Sequence, residues 1–122
     1  MIALALAEVD VSGLVRDKDS LHFTYTDPFG LEAQGFIFLW RGVLYAYRNL
    51  CPHWAVPMDH QGSCFEPVGP RLMCYAHGAR FDPTTGECIS GPSRGRGLER
   101  FVVEPIEGTT RVQIMRRPRL FG

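Results

Sequence analysis

Two short stretches of this 122-residue chain are the most informative about its fold: Cys51-Pro52-His53 and Cys74-Tyr75-Ala76-His77. Each stretch offers one thiol and one imidazole, and residues 54–73 between them are enough for the chain to leave the site and return. Two cysteines and two histidines that converge in this way are typical of a metal site. The order of the ligands is informative, because zinc fingers usually pair Cys with Cys and His with His, whereas each half here is mixed.

The mixed pattern C-x-H and C-x-x-H, with Gly78 directly after the second His, resembles the two ligand loops of the Rieske [2Fe–2S] family. The continuation from Ala79 to Gly86 is similar to the turn that follows the family's second loop. The resemblance implies one Rieske-type [2Fe–2S] cluster per chain, with two Cys on an inner iron and two His on an outer, solvent-facing iron. By position, the ligands are Cys51 and Cys74 for the inner iron and His53 and His77 for the outer iron. A zinc ion remains the alternative for these side chains.

The resemblance also implies where the reduction potential lies. With two ferric irons, two sulfides, two thiolates and neutral imidazoles, the oxidised cluster is formally neutral, and one electron makes it a mono-anion. Rieske centres lie at about −150 to +300 mV, against about −400 mV for plant-type ferredoxins. High-potential members have hydroxyl donors where this chain has Ala79 and Phe81, and an extra cysteine pair where it has Val56 and Ala76. We therefore expect a potential of about −150 mV, as in the soluble ferredoxin and oxygenase-domain branch.

Composition limits the other function classes. The formal net charge is zero, so nothing marks the chain as a nucleic-acid or membrane binder. A content of 45% hydrophobic and 21% charged residues suits one folded domain, and 13 Gly and 9 Pro favour an all-β chain. The apolar opening Met1–Ala7 lacks a positive n-region and is too short to span a bilayer. We therefore expect a cytoplasmic protein whose cysteines stay reduced.

Alternating apolar residues predict short strands. Residues 2–9 indicate an edge strand, and in residues 21–26 the side chains of Leu21, Phe23 and Tyr25 share one face. The stretch 34–47, with Arg41-Gly42 at its centre, predicts a hairpin with a two-residue loop, buried on both faces and leading to the first ligand loop. Further short strands are predicted at 71–73, 79–82, 87–89, 99–104 and 111–115. The predicted fold is an all-β, Rieske-like small antiparallel sandwich or barrel over residues 1–122, with a cluster-binding subdomain at about 49–92.

Three residues near the ligands are candidates for shielding or docking: Trp54, Gly78 and Pro92. Trp54 follows His53 and either covers a flank of the cluster or anchors the loop by packing. Pro92 lies in the stretch 91–97, which resembles the family's third, proline-bearing loop over the cluster. Arg94 and Arg96 in that stretch either steer an acidic redox partner or belong to a solvated loop.

The remaining cysteines and histidines match no ligand position. Cys88 has a strand-like context and is predicted to be a small core residue. Cys64 lies in a Gly/Ser-containing loop and is predicted to be an exposed thiol. His22 is expected to face solvent or a cross-strand neighbour, and His60 is expected to be an exposed turn residue.

These features favour a one-electron carrier that passes electrons from a flavin-dependent reductase to a terminal oxygenase or a similar oxidoreductase. A terminal oxygenase also needs a mononuclear iron held by two His and a carboxylate, and only His22 and His60 remain for it, in unrelated contexts. The chain is therefore not expected to be an oxygenase by itself. Two alternatives stay open. One is a small Rieske-like subunit of a larger reductase of the nitrite-reductase type, and the other is a structural zinc or redox-sensing binding domain.

Overall fold

The computed structural model describes residues 5–52, 57–58, 63–76, 78–91 and 95–117. The strands of this part of the chain are β1 (Ala5–Asp10), β2 (Ser20–Thr26), β3 (Glu32–Trp40), β4 (Val43–Arg48), β5 (Leu72–Met73), β6 (Arg80–Phe81), β7 (Cys88–Ser90), β8 (Arg100–Pro105) and β9 (Arg111–Arg116). Among the described residues, no helix has the length and apolar character that a membrane span requires.

Six strands form one antiparallel sheet in the order β1-β9-β8-β4-β3-β2. The two outer strands of this order, β1 and β2, also contact each other, so the sheet curls into a nearly closed barrel. The other three form a small antiparallel sheet in the order β5-β6-β7. The all-β fold predicted from the sequence is confirmed, whereas the subdomain boundary at 49–92 stays a prediction.

The hairpin of β3 and β4 lies between two apolar cores. Its turn has positive φ at Arg41 and Gly42, which is the geometry of a two-residue hairpin loop. Ile37 packs inside the barrel, while its neighbours Phe36 and Phe38 face the opposite way. The prediction that this hairpin is buried on both faces is therefore confirmed.

The barrel interior and the second core have different members. The first is filled by Phe23, Tyr25, Ile37, Ala46, Phe101, Val112 and Ile114. The second joins the outer side of the hairpin to the three-stranded sheet and includes Phe36, Phe38, Trp40, Tyr47, Phe65, Leu72 and Phe81. The ring of Phe65 meets the ring of Phe38 edge-on at 5.0 Å between centroids, which locks the small sheet onto the hairpin.

The edge strand β2 shows the alternation that the sequence predicts. Phe23 and Tyr25 are buried in the barrel, and His22 lies on the exposed side, with its ring 6.5 Å from the ring of its cross-strand neighbour Phe36. Leu21 shares the inward register but remains 36% exposed. The expectation for His22 is therefore confirmed, while Leu21 contributes less to the core than its pattern predicts.

Candidate metal centre

Strands deliver both predicted cysteine ligands to one buried place. β4 ends three residues before Cys51, and β5 ends directly before Cys74. Cys51 is 1% exposed and Cys74 is 0% exposed, and both belong to the second core, together with Met58. The predicted histidine ligands His53 and His77 lie outside the described residues, as do the candidates Trp54 and Pro92 and the turn residue His60.

A buried asparagine closes the first ligand loop. The backbone N–H of Met58 donates to Oδ1 of Asn49 at 2.8 Å, across the loop that carries Cys51. The N–H of Asn49 in turn donates to the carbonyl of Gln34 on β3 at 2.8 Å. Because the asparagine is buried, these bonds are shielded from competition with water. The base of the loop is therefore fixed to the central hairpin.

Met58 joins the first ligand loop to the second. Its carbonyl accepts the N–H of Tyr75 at 3.1 Å, and its own side chain is fully buried. Tyr75 directly follows Cys74 and is more than half exposed. One residue after the buried cysteine, the second ligand loop thus reaches the surface of the protein.

The second ligand loop is a tight turn closed by two backbone hydrogen bonds. The N–H of Gly78 donates to the carbonyl of Cys74, and the N–H of Cys74 donates to the carbonyl of Ala79, both at 2.8 Å. Gly78 has φ of +73°, and a Cβ at this position would have nothing within 4 Å. Position 78 therefore favours glycine because its backbone is left-handed, and not because a larger side chain would clash with neighbouring atoms.

The third loop touches both ligand loops. At its start, a Cβ added to Gly91 would lie 2.8 Å from Cα of Ala79, at the end of the second ligand loop. Towards its end, Nη1 of Arg96 donates to the carbonyl of Pro52 at 3.0 Å, in the first ligand loop. The described residues of the third loop thus contact both ligand loops, whereas Arg94 lies outside the described residues and the position of Pro92 over the cluster stays a prediction.

A carboxylate with little exposure holds the strands around the second loop. Glu66 is 9% exposed; its Oε1 accepts Nε of Arg80 at 2.8 Å, and its Oε2 accepts the N–H of Arg71 at 2.9 Å. Burial alone would raise the pKa of Glu66, but these hydrogen bonds from Arg80 and Arg71 hold the pKa below its ordinary value. The ionised carboxylate therefore belongs to the folded site.

Sequence reasoning missed both Asn49 and Glu66. Asn49 stands between a strand and a predicted ligand, where Asn side chains often bond to nearby backbone, and this position was the available signal. Glu66 follows a phenylalanine in an irregular segment, and no periodic pattern marks it. Its role depends on Arg80, 14 residues along the chain.

The prediction that Cys64 is an exposed thiol is wrong, because Cys64 is 2% exposed. Two contacts fix the backbone on either side of Cys64: a β-bridge joins Phe65 to Leu72, and the N–H of Met73 donates to the carbonyl of Cys64. The side chain of Cys64 therefore lies in the second core. The prediction that Cys88 is a small core residue is confirmed. Cys88 is buried, and its thiol donates to the carbonyl of Ser90 at 3.3 Å.

Comparison with known proteins assigns the family. The sequence model of the Rieske [2Fe–2S] domain matches residues 13–110, and the chain belongs to this family, whose cofactor is a [2Fe–2S] cluster. No curated protein matches the sequence. The described part of the donor set fits the cofactor, because Cys51 and Cys74 are buried in the same core and soft thiolates are the ligands that iron–sulfur clusters prefer.

Solved structures share the fold. The ferredoxin of carbazole 1,9a-dioxygenase from Nocardioides aromaticivorans IC177 is 21% identical, with a TM-score of 0.64 over 96% of this chain and 100% of that chain. A chain from a complex of reduced oxygenase and oxidised ferredoxin in carbazole 1,9a-dioxygenase is also 21% identical, with a TM-score of 0.68 over 98% and 97%. The terminal oxygenase from the same Nocardioides strain is 19% identical, with a TM-score of 0.62 over 85% of this chain but 28% of its own.

Proposed function

We propose that this protein is a Rieske-type ferredoxin, a one-electron carrier that takes electrons from a flavin-dependent reductase and passes them to a terminal oxygenase. The observation that carries the proposal is the pair of buried cysteines, Cys51 and Cys74, at the base of two loops that Met58 links together. The second of these loops reaches the surface at Tyr75. An electron carrier needs such a surface-exposed site for contact with its partners.

In this proposal the ligands are divided by depth. Cys51 and Cys74, in the second core, would hold the inner iron, and His53 and His77 would hold the outer iron. When bound, the cluster supplies a centre that accepts and releases one electron. The residues of this chain exclude water from the thiolates and keep both loops in one geometry through Asn49 and Met58. A rigid site of this kind serves repeated electron transfer without rearrangement of the loops.

The terminal oxygenase is proposed as a partner from the structural neighbours, and the flavin-dependent reductase from the family resemblance. This chain spans almost the whole of a ferredoxin from a carbazole dioxygenase, and the fold of a ferredoxin from an oxygenase complex matches it over a similar extent. By contrast, it spans 28% of a terminal oxygenase chain. These extents favour a separate carrier over an oxygenase. We further propose a cytoplasmic location and a cluster-binding subdomain at about 49–92.

Electron transfer with purified components tests the proposal. We expect NADH and a flavin-dependent ferredoxin reductase to reduce the protein in a one-electron step, and the reduced protein to support substrate turnover by a Rieske oxygenase. A protein that carries the cluster but neither accepts electrons from such reductases nor reduces an oxygenase would instead indicate a subunit of a larger reductase. A colourless protein with one zinc ion would support the structural alternative.

A further inference from the structure

A cation from the third loop is fixed to the backbone between two predicted ligands. Pro52 lies directly between Cys51 and His53, and its carbonyl accepts Nη1 of Arg96 at 3.0 Å. This bond joins residues that are 44 positions apart in the chain. The contact thus ties the third loop to the first ligand loop at the peptide unit that His53 shares with Pro52.

The backbone of Arg96 is held as well as its side chain. The carbonyl of Arg96 accepts the N–H of Cys88 at 2.9 Å, and two residues later the N–H of Leu98 donates to the carbonyl of Gly86 at 2.8 Å. These bonds attach this end of the third loop to the hairpin of β6 and β7. The guanidinium is therefore presented from an anchored backbone and not from a free segment.

The charge of Arg96 is not balanced by a neighbouring carboxylate within the described ranges. Ion pairs there join Arg48 and Arg116 to Glu99, Arg80 to Glu66 and Arg111 to Glu8. Arg96 takes part in none of these pairs. In this part of the structure, the guanidinium thus donates to the carbonyl of Pro52 and forms no ion pair.

We propose that Arg96 is a positioning residue that fixes the first ligand loop and that its charge favours the reduced form of the site. The inference rests on the proposed function, in which Cys51 and His53 are cluster ligands. The balance is simple: one electron from the reductase makes a formally neutral centre mono-anionic, and the same electron leaves to the oxygenase. A nearby positive charge stabilises the anionic state more than the neutral state. It therefore raises the reduction potential.

Three variants separate the charge of Arg96 from its hydrogen bond and from net charge. Arg96→Gln removes the charge but keeps an amide donor, and Arg96→Lys keeps the charge as a compact ammonium. Arg41→Gln is the matched control, because it removes the same charge from the β3–β4 turn, at the end of β4 remote from Cys51. All three are prepared with the cluster, and iron content, EPR spectrum and reduction potential are measured.

We expect Arg96→Gln to lower the ratio of reduced to oxidised protein at a fixed potential about threefold, or about 30 mV, since tenfold is about 59 mV for one electron. Arg96→Lys and Arg41→Gln should stay close to the native value. The difference in reduction potential between the native protein and Arg96→Gln should become smaller as ionic strength rises, because Arg96 is exposed and salt screens its charge. A purely structural role would not produce this salt dependence.

Other outcomes overturn the inference. An unchanged potential in Arg96→Gln would do so, and so would an equal shift in Arg41→Gln, which would indicate an effect of net charge. If Arg96→Gln loses the cluster, a loaded Arg96→Lys protein at the native potential supports the role of the charge, and loss of the cluster from Arg96→Lys contradicts it. Failure of the proposed function looks different, because the native protein itself would then lack a rhombic EPR signal on reduction, or would carry the cluster without exchanging electrons with a reductase and an oxygenase.

Discussion

The barrel and the three-stranded sheet, which carries the second ligand loop, are stabilised in different ways. The barrel strands are six to nine residues long and enclose a core of aromatic and branched side chains. The strands β5, β6 and β7 have only two or three residues each and pack on the second core, and polar contacts of Asn49, Glu66 and Arg96 fix the segments around the ligand loops. The difference teaches that apolar packing builds the barrel, whereas the site combines apolar packing with specific polar contacts.

Removal of a buried cysteine ligand should have the largest effect, because it should disrupt the metal site and leave the barrel folded. We expect Cys74→Ser to reduce bound iron at least about tenfold, because the thiolate is a direct ligand in the proposed site. The barrel should remain folded, since its interior core does not include Cys74. Iron analysis and far-ultraviolet circular dichroism measure the two regions separately.

Cys88→Ser is the matched control for that experiment. It changes an equally small and buried thiol that is not a predicted ligand, so bound iron should stay near the native level. A Cys74→Ser protein that still holds two irons, or a Cys88→Ser protein that loses them, would show that the ligand assignment is wrong.

Two glycines with positive φ distinguish the tight third loop from the open barrel turn. At Gly91, φ is +96° and a Cβ would lie 2.8 Å from Cα of Ala79, whereas at Gly108, φ is +78° and nothing lies within 4 Å. Gly91→Ala should therefore destabilise the protein by about 2–5 kcal/mol through strain and overpacking, and Gly108→Ala by about 1 kcal/mol through strain alone. Thermal unfolding and the rate of loss of visible absorption give the comparison. Equal effects would mean that the third loop is not tightly packed on Ala79.

Two ion pairs, one beside the second ligand loop and one on the barrel, should differ in their contributions to the free energy of unfolding. Arg80→Ala removes a charged donor from the buried Glu66 and should destabilise the ligand-bearing sheet by about 2–3 kcal/mol. Arg111→Ala breaks the pair with Glu8 on the barrel, where both side chains are about half exposed, and should cost less than about 1 kcal/mol. Chemical denaturation of the loaded proteins measures both. A larger effect for Arg111→Ala would contradict the contrast.

Acid stability offers the mildest test. Because the folded-state pKa of Glu66 lies below its ordinary value of 4.5, the ionised carboxylate contributes stability above about that pH, and this contribution is lost as pH falls towards the folded-state pKa. Glu66→Gln should therefore flatten the fall of the melting temperature between about pH 5 and pH 3. Asp82 also has a lowered pKa, from its hydrogen bonds with Thr84, so some acid sensitivity will persist. If the melting temperature of Glu66→Gln fell in acid as steeply as that of the native protein, the Glu66 carboxylate would not contribute to the acid sensitivity.

The sequence predicts those parts of the molecule whose signals are local. Alternation marks β2, and the Arg41-Gly42 turn marks the central hairpin. The two ligand stretches identify a family because their residue types and spacing are themselves the chemical requirement. Pairings such as β1 with β9 and β4 with β8 join distant segments, and no local pattern encodes them.

The contacts that shape the site are equally nonlocal. Asn49 and Glu66 are ordinary polar residues until their partners Met58 and Arg80 lie opposite them. Cys64 was misjudged because its small, polar neighbours suggest a solvated loop. In the structure, the bridge beside it directs its side chain into the second core. Such roles depend on tertiary placement and not on residue type.

EPR spectroscopy of the reduced native protein, with iron and labile-sulfide analysis, tests the central claim most directly. We predict two irons and two sulfides per chain and a rhombic signal, with pulsed spectra that show coupling to two histidine nitrogens. A protein with one tightly held zinc ion, or with a cluster whose spectrum shows no nitrogen coupling, would contradict a [2Fe–2S] cluster held by two cysteines and two histidines.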